Sequence, residues 1–291
     1  MNDAVEARKL HELGAHRHLR VGETLVVEGD ESDAVFVVVD GLLQASVASA
    51  DGDIVIGEMR PGEVIGEVAA LAGLRRSATV SAVGEAHVVV IDRATFGAWL
   101  AGQPERADEI ATEARHRLNR TQLAEMAMQF LGEAAHDLVP EMLAVAEWVD
   151  LEAGEVLFRE GDQPDAAYFV LSGRLQVSAA DGPDTRVLRD VGRWEVLGEL
   201  AIIDRGARSA TVTALRDSTL ARIPLEAFER LLVSHPPLLL MVVRRMVSRL
   251  TGSTGAGQSA TAARSVAIVV ADGVRVDDVV GPIVEAVRMQ G

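Results

Sequence analysis

A glycine and a glutamate at Gly66-Glu67 are followed, ten residues after the glycine, by Arg76 and then Ser77; the set recurs at Gly198-Glu199, Arg208 and Ser209. The two stretches, IGEVAALAGLRRSATV (65–80) and LGELAIIDRGARSATV (197–212), are identical at eight of sixteen positions, and the identities fall mainly at the polar ends. A strand ending at such a glycine can turn tightly. The apolar residues that follow, starting with Val68 or Leu200, suffice for one or two helical turns. The first N–H groups of such a turn lack intrahelical partners and favour an anion in front of them. An arginine returning to that point presents a planar fork to phosphate oxygens, and the serine adds a hydroxyl donor. The glutamate would repel a bare phosphate but can accept hydrogen bonds from a sugar hydroxyl beside one. Phosphate plus ribose hydroxyl describes a nucleotide.

The elements that must position these residues are also written twice. A constant offset of 132 carries Gly22-Glu23 onto Gly154-Glu155, Glu28-Gly29-Asp30 onto Glu160-Gly161-Asp162, Gly41 onto Gly173 and Phe96 onto Phe228. A period this long marks a duplicated domain and not a solenoid. Within each copy, short runs of mostly alternating hydrophobicity are broken by Gly and Asp. TLVVEGD, AVFVVVDG, LLQASVASADGD and IVIGEMRPGE read as strands in the first copy; VLFREGD, AAYFVLSG, RLQVSAADG and TRVLRDVG do so in the second. The expected fold is mainly β with flanking helices, a jelly-roll type of β-roll present in tandem. Ile110, Ala114, Leu118, Met126 and Phe130 recur at helical spacing between the copies. HDLVPEMLAVAEW reads as the lead-in helix of copy two and PPLLLMVVRRMVSRL as its exit helix.

Composition removes several function classes. The formal charge of −16 and pI near 4.9 argue against DNA or an anionic membrane as a direct partner. There is no cysteine, so neither a disulfide nor a thiolate metal site can form. Lys9 is the single lysine, which excludes a Walker-type phosphate loop beyond that point. MNDAVEARKL lacks the apolar core of a signal peptide, and no apolar run approaches the length of a membrane span. A cytoplasmic location is expected, with membrane association only through a domain outside this chain. His11, His16 and His18 are the one cluster of histidines in the sequence; without a carboxylate pattern they read as a solvated strand, and no metal site or cofactor is expected. PERADEIATEARHRLNR (104–120) reads as an exposed helix face laced with opposite charges.

On the repeated Gly-Glu-apolar-Ala through Arg-Ser-Ala-Thr strip, the chain resembles a tandem pair of cyclic-nucleotide-binding domains over roughly residues 10 to 250. The resemblance implies an eight-stranded jelly roll with flanking helices. It also implies that Arg76 and Arg208 bind a cyclic phosphate and Glu67 and Glu199 a ribose 2′-hydroxyl, with Gly66, Val68, Ser77, Gly198, Leu200 and Ser209 completing the two sites. Serine at 77 and 209 points to cAMP, since cGMP-selective relatives usually carry threonine there.

The chain therefore divides into a first cyclic-nucleotide-binding domain with its exit helix (1–131), a second such domain (132–251), a Gly/Ser/Ala/Thr linker (252–264) and the start of a further α/β domain (265–291). In that tail SVAIVVADGV reads as a buried strand and VDDVVGPIVEAVRMQG as a helix. EWVDLEAGEVLFREGD, ARSATVTALRDSTLARIPLEAF and this tail resemble bacterial patatin-like phospholipases of the neuropathy-target-esterase type. That resemblance implies a regulatory module acting on a catalytic serine-esterase domain in cis; no catalytic residue is assigned in this chain. A stand-alone cAMP receptor subunit and a ligand-free docking module are the alternatives, and a homodimer is compatible with either. A catabolite-activator type of transcription regulator would need a helix-turn-helix after the second roll, which residues 251–291 do not supply.

Overall fold

The computed structural model describes residues 12–50, 52–72, 74–181 and 184–253, except the side chains of 68, 71, 72 and 245–253. The expected tail, and all but the first two residues of the expected linker, lie outside this range. The chain separates into two compact units, Met1–Met128 and Gln129–Gly291.

The first unit holds eight strands: β1 (Ala15–Leu19), β2 (Thr24–Val26), β3 (Ala34–Asp40), β4 (Leu43–Val47), β5 (Ile54–Met59), β6 (Val64–Ile65), β7 (Thr79–Ala82) and β8 (Ala86–Asp92). They pair antiparallel in two four-stranded sheets, ordered β1-β8-β3-β6 and β2-β7-β4-β5. Between β6 and β7 lies α1 (Glu67–Ala72); after β8 come α2 (Arg93–Ala101) and α3 (Pro104–Leu131). Asp92 caps α2, its carboxylate accepting from the Thr95 N–H at 2.9 Å and the Thr95 hydroxyl at 2.6 Å.

The run AVFVVVD shows why β3 does not alternate. Phe36 and Val38 point into the roll with Leu43, Met59 and Val88. Val35 and Val37 point the other way, into a second cluster with Val89, Ile91, Phe96 of α2 and Ile110 of α3. A strand apolar on both faces is a strand covered on both faces. The helices thus dock on one sheet, and α3 continues from that contact toward the mouth of the roll.

The second unit repeats the design with longer strands: β9 (Glu147–Leu151), β10 (Val156–Phe158), β11 (Ala166–Asp181), β12 (Asp184–Val191), β13 (Val196–Leu197) and β14 (Thr211–Pro224). Six strands do the work of eight, because β11 and β14 run unbroken through what are β3 plus β4, and β7 plus β8, in the first unit. Register shifts between Val170 and Leu175, around Gly173, mark where the paired strands bend from one side of the roll to the other. The helices are α4 (Ala135–Val145), α5 (Glu199–Ile203), α6 (Leu225–Ser234) and α7 (Pro236–Ser253). Phe169 of β11 meets Phe228 of α6 edge to face at 6.2 Å, the counterpart of the contact that Phe96 makes with its own sheet.

One expected boundary moves. HDLVPEMLAVAEW is helical only as far as Val145; Trp148 and Glu147 belong to β9, opposite Ala221 and Arg222 of β14. An edge position beside β14, with Glu147 on the Arg222 guanidinium at 2.6 Å, outweighs the local helical pattern there.

Candidate functional site

Gly66 and Gly198 both adopt left-handed backbone, with φ of 80° and 78°. A β-carbon at either would land on the guanidinium of Arg76 or Arg208, so glycine is required by that close approach as well as by the turn. Arg76 Nη1 donates to the Gly66 carbonyl at 3.1 Å and Nη2 to the Ala34 carbonyl at 2.7 Å. Arg208 repeats this on Gly198 at 2.9 Å and Ala166 at 2.8 Å, and adds Asp165 Oδ1 at 2.8 Å. Its guanidinium carbon stands 4.3 Å from the Phe158 ring centroid, while that of Arg76 stands 5.4 Å from Phe36. Both arginines are buried, 6% and 2% exposed, and so are Glu67 and Glu199, at 3% and 2%.

The second repeated motif has a place in this arrangement. The Gly29 N–H donates to the Arg76 carbonyl at 2.8 Å, and the Arg76 N–H to the Asp30 carbonyl at 2.9 Å. Gly161, Arg208 and Asp162 make the same pair of bonds, each 2.8 Å. The Glu28 N–H donates to Thr79 Oγ1 and its carboxylate accepts from the Ala48 N–H; Glu160 does likewise with Thr211 and Ala180. The Glu-Gly-Asp turn and the Arg-Ser-Ala-Thr run are thus two halves of one backbone clamp that fixes the arginine.

Each set opens on a cavity. In the first unit it measures about 390 Å³ and is lined by Gly66, Glu67, Arg76, Ser77 and apolar residues such as Ile56, Met59 and Val80. In the second it measures about 590 Å³ and is lined by Gly198, Glu199, Leu200, Arg208, Ser209 and, among others, Phe158 and Val212. Both fall within the size range of small-molecule sites. Ser77, Ser209 and Leu200 reach the surface. Val68 is placed in α1, and its side chain is outside the described residues.

Electrostatics separate the members. Burial pushes the Glu67 carboxyl above its ordinary range, against the pull of Arg117 and Arg76. Burial also lowers the Arg76 pKa, while Asp33, Glu67 and Asp30 oppose that fall, and a guanidinium stays charged regardless. Asp165, pushed up by burial, is carried below its usual range by Arg222 and Arg208. Among the described residues, Arg208 Nε is buried with no hydrogen-bond partner. An unmatched donor in such a site costs free energy until an acceptor arrives.

Arg117 was not among the expected site residues; the sequence pattern places it on a solvated helix face. Instead α3 turns it into the first cavity. Its guanidinium meets Glu67 Oε1 at 3.3 Å, Glu63 Oε2 at 3.1 Å and Glu113 Oε2 at 3.5 Å, and donates to the Val64 carbonyl. Arg120 donates from the same helix to the Ile56 carbonyl, and Ala114, Leu118 and Thr121 complete that wall. A signal for this existed, because the 132-residue offset runs on past Phe228. It carries Pro104 onto Pro236, Arg117 onto Arg249 and Leu118 onto Leu250.

Two β-rolls in tandem each place a buried arginine and a buried glutamate on one cavity with largely apolar walls. The model of the cyclic nucleotide-binding domain matches residues 16–103 and 148–235, and the chain belongs to that family. Over 246 residues it is 26% identical to patatin-like phospholipase domain-containing protein 7 of Rattus norvegicus, covering 84% of this chain and 17% of that protein. Lysophospholipase nte1 of Aspergillus fumigatus is 28% identical, over 79% of this chain and 17% of its own length. The neuropathy target esterase sws of Drosophila virilis is 27% identical, over 81% and 15%. The chain therefore spans about a sixth of the length of these relatives. The regulatory domain of Toxoplasma gondii PKA with cAMP aligns over 82% of this chain and 88% of its own, at 21% identity and a TM-score of 0.39.

Proposed function

We propose that this chain is a cAMP-binding regulatory module that controls a patatin-like serine esterase domain attached in cis. One observation carries the ligand assignment: in each roll a buried guanidinium and a buried carboxylate face the same cavity, and at Arg208 a buried donor lacks an acceptor. In this reading Arg76 and Arg208 hold the cyclic phosphate, with Ser77 and Ser209 donating beside them. Glu67 and Glu199 accept from the ribose 2′-hydroxyl, and the glycines with Val68 and Leu200 shape the turn. The esterase assignment rests on the relatives whose names carry that activity, and a bacterial or eukaryotic setting follows from neither roll.

Isothermal titration of the full chain with cAMP tests the ligand. Binding that Arg76→Lys and Arg208→Lys together remove supports the reading, since lysine keeps the charge and loses the fork. No heat at millimolar cAMP would end it. A ligand-free docking role is the second reading, favoured for the first roll by Arg117, which occupies the Glu67 carboxylate.

A further inference from the structure

We propose that the first roll carries a zinc site built from His16, His18 and His87. Antiparallel pairing of β1 with β8 sets His18 opposite His87 and His16 opposite Val89, so three imidazoles from two strands meet on one sheet face. His16 Nδ1 and His87 Nε2 are 2.8 Å apart, and the His18 and His87 rings stack with centroids 4.3 Å apart. Sequence spacing groups His16 and His18 with His11; the third ring, 71 positions along the chain, arrives only through strand pairing.

The roll does not need histidine at these places. The 132-residue offset puts Trp148, Asp150 and Thr219 there in the second unit, where the Thr219 hydroxyl donates to Asp150 at 2.8 Å. Two nitrogens bound to one tetrahedral zinc at about 2.0–2.1 Å would lie about 3.3 Å apart. The His16–His87 pair is therefore short of that separation by roughly half an ångström, within the reach of small ring rotations. In the rotamers present the described His, Asp and Glu side chains do not converge as a set of three on one ion. Beyond those small rotations His18 has to swing, from lying flat on His87 to pointing at the pair, and it is exposed. Three neutral imidazoles with a water in the fourth position are a donor set that suits zinc. Bound there, the ion would clamp the first strand of the roll to the strand that leads into α2.

The test uses the full chain, stripped with a chelator and titrated with zinc against a chromophoric competitor; cobalt is then substituted to read coordination from its visible spectrum. One equivalent per chain is expected, with a tetrahedral cobalt spectrum and a melting temperature that rises with zinc. His16→Ala, His18→Ala and His87→Ala should each weaken binding by at least roughly tenfold and remove the thermal shift. The metal-free melting temperatures should stay close to the wild type, and His116→Ala should bind as the wild type does. Unchanged affinity in the triple variant, or an octahedral cobalt spectrum, would mean adventitious surface binding and overturn the site. Loss with His16→Ala and His87→Ala but not with His18→Ala would reduce it to a two-histidine chelate and overturn the three-ligand assignment.

Discussion

Glu67 is the residue whose chemistry depends most on its surroundings. Burial raises its pKa, so the folded chain holds that proton more tightly than the unfolded chain does. Where the folded pKa is the higher, stability falls as pH rises from the unfolded value, about 4.3, through the folded one. Glu67→Gln removes that dependence. Calorimetry of both proteins should show the variant equal to or more stable than the wild type near neutral pH, with the wild type recovering ground as the solution is acidified. The substitution leaves Arg117 with Glu63, Glu113 and the Val64 carbonyl, so no buried cation is stranded. Ligand affinity should move the other way. A hydrogen bond to a charged acceptor is worth about 1.5–3 kcal/mol, so cAMP binding at the first site should weaken by roughly 10- to 100-fold. A variant that binds as tightly as the wild type would remove Glu67 from the site. These residues were legible from type and spacing, because the chain writes them twice. What spacing could not reveal was that Arg76 and Arg208 lie against the very glycines ten residues before them, which takes the folded turn to see.

At the scale of elements, the Glu-Gly-Asp turn and α3 act on the site from opposite sides. Thr79 and Thr211 each accept the N–H of the glutamate that opens the turn, at 3.0 Å. Thr79→Val and Thr211→Val keep the shape and delete the acceptor of an exposed bond, which should cost about 0.5–1.5 kcal/mol in a denaturant midpoint series and loosen the loop carrying the arginine. Equal stability in both variants would deny the clamp. On the other side, α3 holds Arg117 on Glu67, and a ribose hydroxyl has to compete with that contact. A partly exposed ion pair is worth up to about 1 kcal/mol, so Arg117→Ala should tighten cAMP at the first site by roughly two- to fivefold. Hydrogen exchange in 104–131 should also respond to ligand in the wild type and far less in the variant; protection confined to 66–77 would leave α3 a passive wall. Four strand-bearing runs in each roll were readable from alternation and Gly/Asp punctuation, the first exit helix from the helical spacing of its apolar residues and the second from its prolines. The inward aim of Arg117 was not, because a charged helix face looks the same in sequence whether it meets water or a carboxylate in a cavity. The β9 boundary failed for a related reason, since partner strand β14 lies more than 60 residues away from Trp148.

For the whole molecule, duplication is what made the architecture legible: one offset of 132 residues fixes the turns, the strips and the helices of both rolls together. It does not make the two sites equal. The first cavity is the smaller and has Arg117 on its glutamate; the second is larger, about 590 Å³, and presents the unmatched Arg208 Nε. Each unit has its own core and its own cavity, so each site should titrate on its own account. The wild type should take up two equivalents of cAMP per chain, the second unit filling first, because its cavity is the larger and ligand there satisfies a buried donor. Arg208→Lys should remove the tighter phase and leave one weaker equivalent; Arg76→Lys should remove the weaker phase and leave the tighter one. The melting profile should follow the same logic, since ligand stabilises only the unit that binds it. Isothermal titration of the three proteins side by side separates the outcomes. A single equivalent in the wild type, lost with Arg76→Lys and kept with Arg208→Lys, would reverse the assignment and make the second roll the structural copy.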